Sequence, residues 1–186
     1  MNNMGDALKK AGVESPKLNN NSQGRQQYGS KPYGNSQQQY KTEDMGIDYK
    51  SAYDPVKEGE KLVLKMKEKG ERYFTTTQLR KIHSYASIVN NKIQMEESKN
   101  KSVAYRISEE LQNDVQYIKL KLIYQMGRDK TVKKWFGSVD VDGIKGIGLE
   151  KIIADIGDDK EKFDRFYRLL ESIIAYKKYF MPEKNN

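Results

Sequence analysis

The stretch Ser108–Gly127, SEELQNDVQYIKLKLIYQMG, decides how this chain folds. Ser108 brings a capping hydroxyl, and Glu109 and Glu110 set negative charge where the free N–H groups of a helix start attract it. Leu111, Val115, Ile118, Leu122 and Met126 then recur at steps of three and four residues, the repeat of a single helix face. Gly127 is the stop signal. In the second half Tyr117, Leu120, Ile123 and Tyr124 add apolar groups to the remaining faces. The pattern therefore predicts a helix apolar nearly all round, and such a helix belongs at the centre of a bundle.

The surrounding sequence repeats the helical theme. The prolines are Pro16, Pro32, Pro55 and Pro182, so Val56 to Met181 has none. A long proline-free region with scattered glycines favours helices, because proline breaks both helix interiors and central strands. Asp54 and Pro55 read as the cap and first position of a helix that runs to Lys69 and stops at Gly70. Thr75 and Gln78 have the spacing of a capping box, each reaching for the other's backbone N–H. Leu79, Ile82, Ala86, Val89 and Ile93 follow on one narrow face, with Arg80, Ser84 and Asn91 opposite. A polar connection is expected from about Gln94 to Arg106. Beyond residue 127, short helices are expected around Thr131 to Phe136 and Leu149 to Ile156. The last helix runs from about Asp159 to Phe180. It buries Phe163, Phe166, Tyr167, Leu170, Ile173 and Ile174, and turns Arg165, Arg168, Ser172, Tyr176 and Tyr179 outward. Strand signal is confined to Ser138 to Asp142, too short to build a sheet on. The fold class is all-α, a five- or six-helix bundle.

Composition changes near residue 50. Asn19 to Gln39 is almost wholly Asn, Gln, Ser, Gly and Tyr. So little apolar surface cannot offset the entropy of ordering, which predicts a disordered N-terminal arm over residues 1–50 and a helical domain over 51–186. Tyr28, Tyr33 and Tyr40, beside Arg25, Lys31 and Lys41, suit stacking on bases or weak self-association; an inert linker is the plainer alternative. The chain has 34 Lys and Arg against 26 Asp and Glu, a net charge of +8. That excess favours polyanionic partners. With no cysteine, thiol nucleophiles, disulfides and cysteine-ligated zinc are excluded. Apolar runs such as Leu62 to Leu64 fall far short of the roughly 20 residues that span a bilayer. MNNMGDALKK lacks the apolar stretch of a secretory signal. A soluble, cytoplasmic protein with no membrane partner is expected.

Catalytic constellations are missing. His83, the one histidine, has no HExxH context and reads as a solvated or core-edge residue. The acid pairs Glu43-Asp44, Glu96-Glu97, Glu109-Glu110 and Asp158-Asp159 sit in a tail, a linker or a helix's first turn. No GxxxxGK[ST] or GxSxG motif occurs. No catalytic residue, metal or cofactor is expected. IKGIG, residues 144–148, partly resembles the turn of a helix-hairpin-helix element, which meets DNA phosphate with backbone N–H groups. That leaves a DNA-binding protein as the alternative function, with a flexible interhelical loop as the plainer reading of the motif. Basic residues cluster more tellingly. Lys119, Lys121, Arg128, Lys130, Lys133 and Lys134 lie close together with only Asp129 opposing them. Phosphate binding is the functional reading of that run, and a solvated face is the structural one.

Three ordered segments resemble a known family. FTTTQLRK (74–81) is similar to its helix start. YIKLKLIY (117–124) followed by GRDKTV (127–132) is similar to its central stretch. The segment from Phe163, ending ESIIAYKKY (171–179), is similar to its closing helix. The family is the small subunit of type III-A CRISPR effector complexes, the Csm complexes, and the likeness covers about residues 74–180. The resemblance implies a non-catalytic, RNA-binding subunit that acts in antiviral defence and is present in several copies. Members of this family stack beside the repeated backbone subunit, line the channel holding the guide RNA–target RNA duplex, and touch the large polymerase-like subunit. Target-RNA cutting then belongs to the backbone subunit, and DNA cutting and cyclic oligoadenylate synthesis to the large one. By motif position it points to Arg80, Lys119, Lys121 and Arg128 for phosphate contacts, whereas Lys130, Lys133 and Lys134 rest on charge alone. It says nothing about the arm or about Ile144 to Gly148.

Overall fold

A computed structural model of the chain describes residues 42–71, 76–100 and 105–182. Among them run helices α1 (Pro55–Glu68), α2 (Thr76–Lys99), α3 (Glu109–Arg128), α4 (Lys130–Phe136), α5 (Leu149–Ala154) and α6 (Lys160–Phe180). Three two-residue strands accompany them: β1 (Glu43–Asp44), β2 (Asp140–Val141) and β3 (Ile144–Lys145).

The helix starts follow from local chemistry. Asp54 accepts hydrogen bonds from the N–H groups of Val56 and Lys57, and Pro55 needs no donor at the first position. Asp129 and Asp159 cap α4 and α6 in the same way. Ser108 holds the capping position of α3 with extended backbone, but its hydroxyl donates to Glu96 of α2 at 2.9 Å. It fastens two helices together in place of capping one. The capping box at Thr75 lies outside the described residues; the Gln78 amide donates to Asp129 at 2.6 Å, tying the start of α2 to the α3–α4 corner. α2 also runs to Lys99, past the expected break at Gln94.

α6 is the spine. It packs against α1 on one side and α2 on another, and α2, α4 and α5 cover α3. Ser172, expected outside, is buried at the α1–α6 contact, within hydrogen-bond distance of the Pro55 and Leu169 carbonyls. The two helices approach so closely there that a Cβ on Gly59 would overlap the Ser172 side chain and press on the α6 backbone. Gly59→Ala therefore tests packing against propensity. In an open helix the change stabilises by about 1 kcal/mol. Here overpacking should reverse the sign and cost about 1–3 kcal/mol, read as a lower thermal and urea midpoint.

The strands form one small sheet in the order β1-β3-β2, with β1 parallel and β2 antiparallel to β3. The strand signal at 138–142 thus belongs to a real sheet, completed by residues that composition assigned to the arm. Met45 and Ile47 are buried in the common core, so the folded body begins before residue 50. The Tyr28, Tyr33 and Tyr40 readings lie outside the described residues.

The largest correction concerns α3. Leu111, Val115, Ile118 and Leu122 are buried as expected, but Tyr117, Leu120, Ile123 and Tyr124 are all exposed. α3 is covered on one face only, and the central position falls to α6.

Candidate nucleic-acid interface

α3 carries no acid from Val115 to Arg128. Tyr117, Lys121, Tyr124 and Arg128 recur at steps of three and four and share its uncovered flank. The Lys121 ammonium lies 4.6 Å from the Tyr117 ring centre and 5.5 Å from that of Tyr85 on α2. Tyr85 and Tyr117 meet edge to face, with centres 6.3 Å apart. The Arg128 guanidinium lies 5.5 Å from the Tyr124 ring. These cation–π contacts hold the charges over apolar rings. Contact with the Tyr117 side chain raises the Lys121 pKa above the ordinary lysine value, so Lys121 is cationic at neutral pH. Arg128 makes no ion pair with Asp129, whose carboxylate caps α4 and receives Gln78.

The remaining expected site residues divide by environment. Lys133 is exposed on α4. Lys130 pairs with Asp142 at 2.8 Å, but both side chains are more than half exposed, and such a pair is worth little and yields readily to another anion. Lys134 turns inward. Its ammonium is 3.1 Å from Glu71 and its side chain is only 18 % exposed, beside buried Trp135. Glu71 also accepts the Trp135 indole N–H at 3.2 Å, so this trio fastens α4 to the chain following α1. That geometry commits Lys134 to Glu71 and not to the phosphate expected of it.

Lys119 and Arg80 are not neighbours of the Lys121 stripe. Lys119 is half-buried and lies about 160° round α3 from Lys121. Arg80 is exposed on the other flank of α2, in an open groove of about 440 Å³ shared with His83, Ser84, Glu171, Ile174 and Ala175. His83 is a packing residue there, stacked on Tyr167 at 5.3 Å with Nε2 3.8 Å from Glu171.

The IKGIG turn is neither flexible loop nor helix-hairpin-helix element. Ile144 and Lys145 form β3, Gly146 to Gly148 are buried, and the Ile147 N–H donates to the Trp135 carbonyl at 3.0 Å. A Cβ on Gly146 would strike that same carbonyl. Gly146 serves close packing, Gly148 supplies the left-handed backbone (φ 70°) ahead of α5, and both are buried.

Sequence reasoning missed the exposure of Tyr85, Tyr117 and Tyr124, and with it the cationic-aromatic face. The available signal was the four-residue step from Tyr117 to Lys121 and from Tyr124 to Arg128 on an acid-free helix. Among the described residues no helix is long and apolar enough to cross a membrane, and no three acids or histidines gather as a metal site would require.

Comparison with known proteins agrees with the motifs. A family model described as Csm2 Type III-A matches residues 50–183. Proteins named CRISPR system Cms protein Csm2 from Mycobacterium tuberculosis strains CDC 1551 / Oshkosh and ATCC 25618 / H37Rv are each 30% identical over 130 residues, covering 70% of this chain and 94% of theirs. A protein of that name from Streptococcus thermophilus is 30% identical over 118 residues, covering 63% of this chain and 82% of its own. The chain belongs to the Csm2 Type III-A family, the small subunits of the type III-A Csm complexes of CRISPR defence.

Proposed function

We propose that the chain is a non-catalytic subunit that holds the guide RNA–target RNA duplex through its phosphates. The observation that carries this reading is the acid-free face of α3, where Lys121 and Arg128 are held on tyrosine rings, with Lys130 and Lys133 following on α4. An A-form duplex hides its base edges in a deep, narrow major groove, so a helical module meets it through backbone and shape. Sequence discrimination is then left to guide–target pairing. Arg80 and Lys119, on other flanks, serve separate contacts along the assembly. In this role the chain sits in a cytoplasmic complex against the large polymerase-like subunit, the repeated backbone subunit and further copies of itself, and needs no cofactor.

Titration of the full chain with RNA duplexes of unrelated sequence, across a salt series, tests the reading. Alanine at Lys121, Arg128 and Lys133 should leave the thermal midpoint nearly unchanged. Affinity should fall about equally for every sequence, and the log–log salt slope should shrink by roughly 0.7 to 0.9 per contact removed. Unchanged slopes would refute the phosphate role, and sequence-dependent losses would mean that these residues read bases. Incubation of the same protein with labelled RNA, single-stranded DNA and ATP, each with Mg²⁺, should give no turnover. Cleavage or cyclisation that disappears in an acid-to-alanine variant would refute the non-catalytic role.

A further inference from the structure

The uncovered face holds more aromatic surface than phosphate binding requires. Tyr85, Tyr117 and Tyr124 are 40, 48 and 58 % exposed. Each stands one helical turn from a cation: Tyr85 follows Lys81, Tyr117 precedes Lys121, and Tyr124 precedes Arg128. Lys81 is exposed on the same flank of α2 as Tyr85. The face therefore repeats one unit three times, a flat ring with a positive charge beside it. A nucleotide has the matching pair of features, a flat base and a negative phosphate joined at short range. The two units on α3 are seven residues apart, about 10.5 Å along the axis.

We propose that this face is a stacking platform for unpaired RNA nucleotides, with bases on Tyr85, Tyr117 and Tyr124 and phosphates at Lys81, Lys121 and Arg128. The inference rests on the RNA-binding reading and extends it from phosphates to base faces. Stacking is sequence-tolerant because every base has a π-face, so it adds affinity without adding a code. Charge decides the occupant. A purely apolar partner would leave three cations desolvated and unpaired, a costly arrangement. An acidic peptide would satisfy the cations but has no reason to match a ring beside every charge. Exposed Leu120 and Ile88 extend the same surface with apolar area against which ribose and base edges pack.

The test compares full-length protein binding to a short single-stranded RNA and to an abasic oligomer of the same length, which keeps the phosphates and removes the bases. A 2-aminopurine placed in the RNA reports stacking directly. Wild-type protein should prefer the RNA by at least about fivefold and quench the 2-aminopurine. Tyr117→Leu with Tyr124→Leu should lower RNA affinity to the abasic level, while Tyr117→Phe with Tyr124→Phe should restore it. Equal binding of both oligomers, unmoved by the leucine changes, would overturn the platform and leave the phosphate reading intact. Failure of wild-type protein to bind either oligomer or duplex RNA would overturn both. Leucine variants that bind RNA normally but no longer co-purify with the other Csm subunits would overturn the platform in favour of a protein contact.

Discussion

Leu122→Asp is expected to abolish the native fold. Leu122 is fully buried on the covered face of α3, within the core that all six helices share. A carboxylate there is cut off from water, and an unpaired buried charge costs several kcal/mol even after its pKa shifts. Domains of this size hold only about 5–15 kcal/mol in total. The variant should lose its cooperative thermal transition, and much of its helical circular dichroism with it. The control lies two residues away. Leu120 is 57 % exposed, so Leu120→Asp should move stability by no more than about 0.5 kcal/mol. If Leu122→Asp melts like wild type, or if Leu120→Asp unfolds the chain, the orientation of α3 is wrong.

Trp135→Ala is expected to have the next largest effect. Trp135 is the only tryptophan, fully buried on α4, and truncating a buried tryptophan costs about 3–5 kcal/mol through lost transfer energy and the cavity left behind. The change also removes the indole N–H from Glu71, a carboxylate only 15 % exposed that then keeps Lys134 alone, and losing a hydrogen bond to a charged group adds about 1.5–3 kcal/mol. Urea unfolding followed by circular dichroism should show a midpoint near zero denaturant. Trp135→Phe keeps most of the volume and loses the hydrogen bond, so it should fall between wild type and alanine. In the wild type, the single-tryptophan emission should be blue-shifted and move red on unfolding. A red-shifted native spectrum would place Trp135 in water and contradict its burial.

The pattern of the site was half legible in the sequence. The run from Lys119 to Lys134 could be seen to be basic, yet charge in a string carries no direction. Lys121 and Lys134 look alike as letters. One rests on exposed tyrosine rings and the other is drawn inward to Glu71, a residue 63 positions earlier. Only chain packing brings Glu71 to α4, and no local spacing reports it. The same holds for Gly146, read as part of a phosphate-binding turn. Its lack of a side chain is used, but for the Trp135 carbonyl pressed against it.

By itself the sequence determined where most of the helices begin, because those choices are local. Asp54 with Pro55, and Asp129 and Asp159 ahead of their helices, satisfy N–H groups two or three residues away. The single apolar face of α2 and the family motifs were equally explicit, since a helical repeat needs no partner to be seen. Tertiary structure alone decided which apolar face is covered. α3 has more apolar flank than its neighbours can bury: α2, α4 and α5 take the Leu111–Leu122 side, and the Tyr117–Tyr124 side stays open. Periodicity counts apolar residues but does not say how many helices arrive to meet them. Residues 43–47 show the converse. A polar-looking segment joins the core because β3 offers it a backbone edge, with Glu43 and Met45 donating their N–H groups to the Gly143 and Lys145 carbonyls. A partner about a hundred residues away supplies hydrogen bonds that the segment could not make alone.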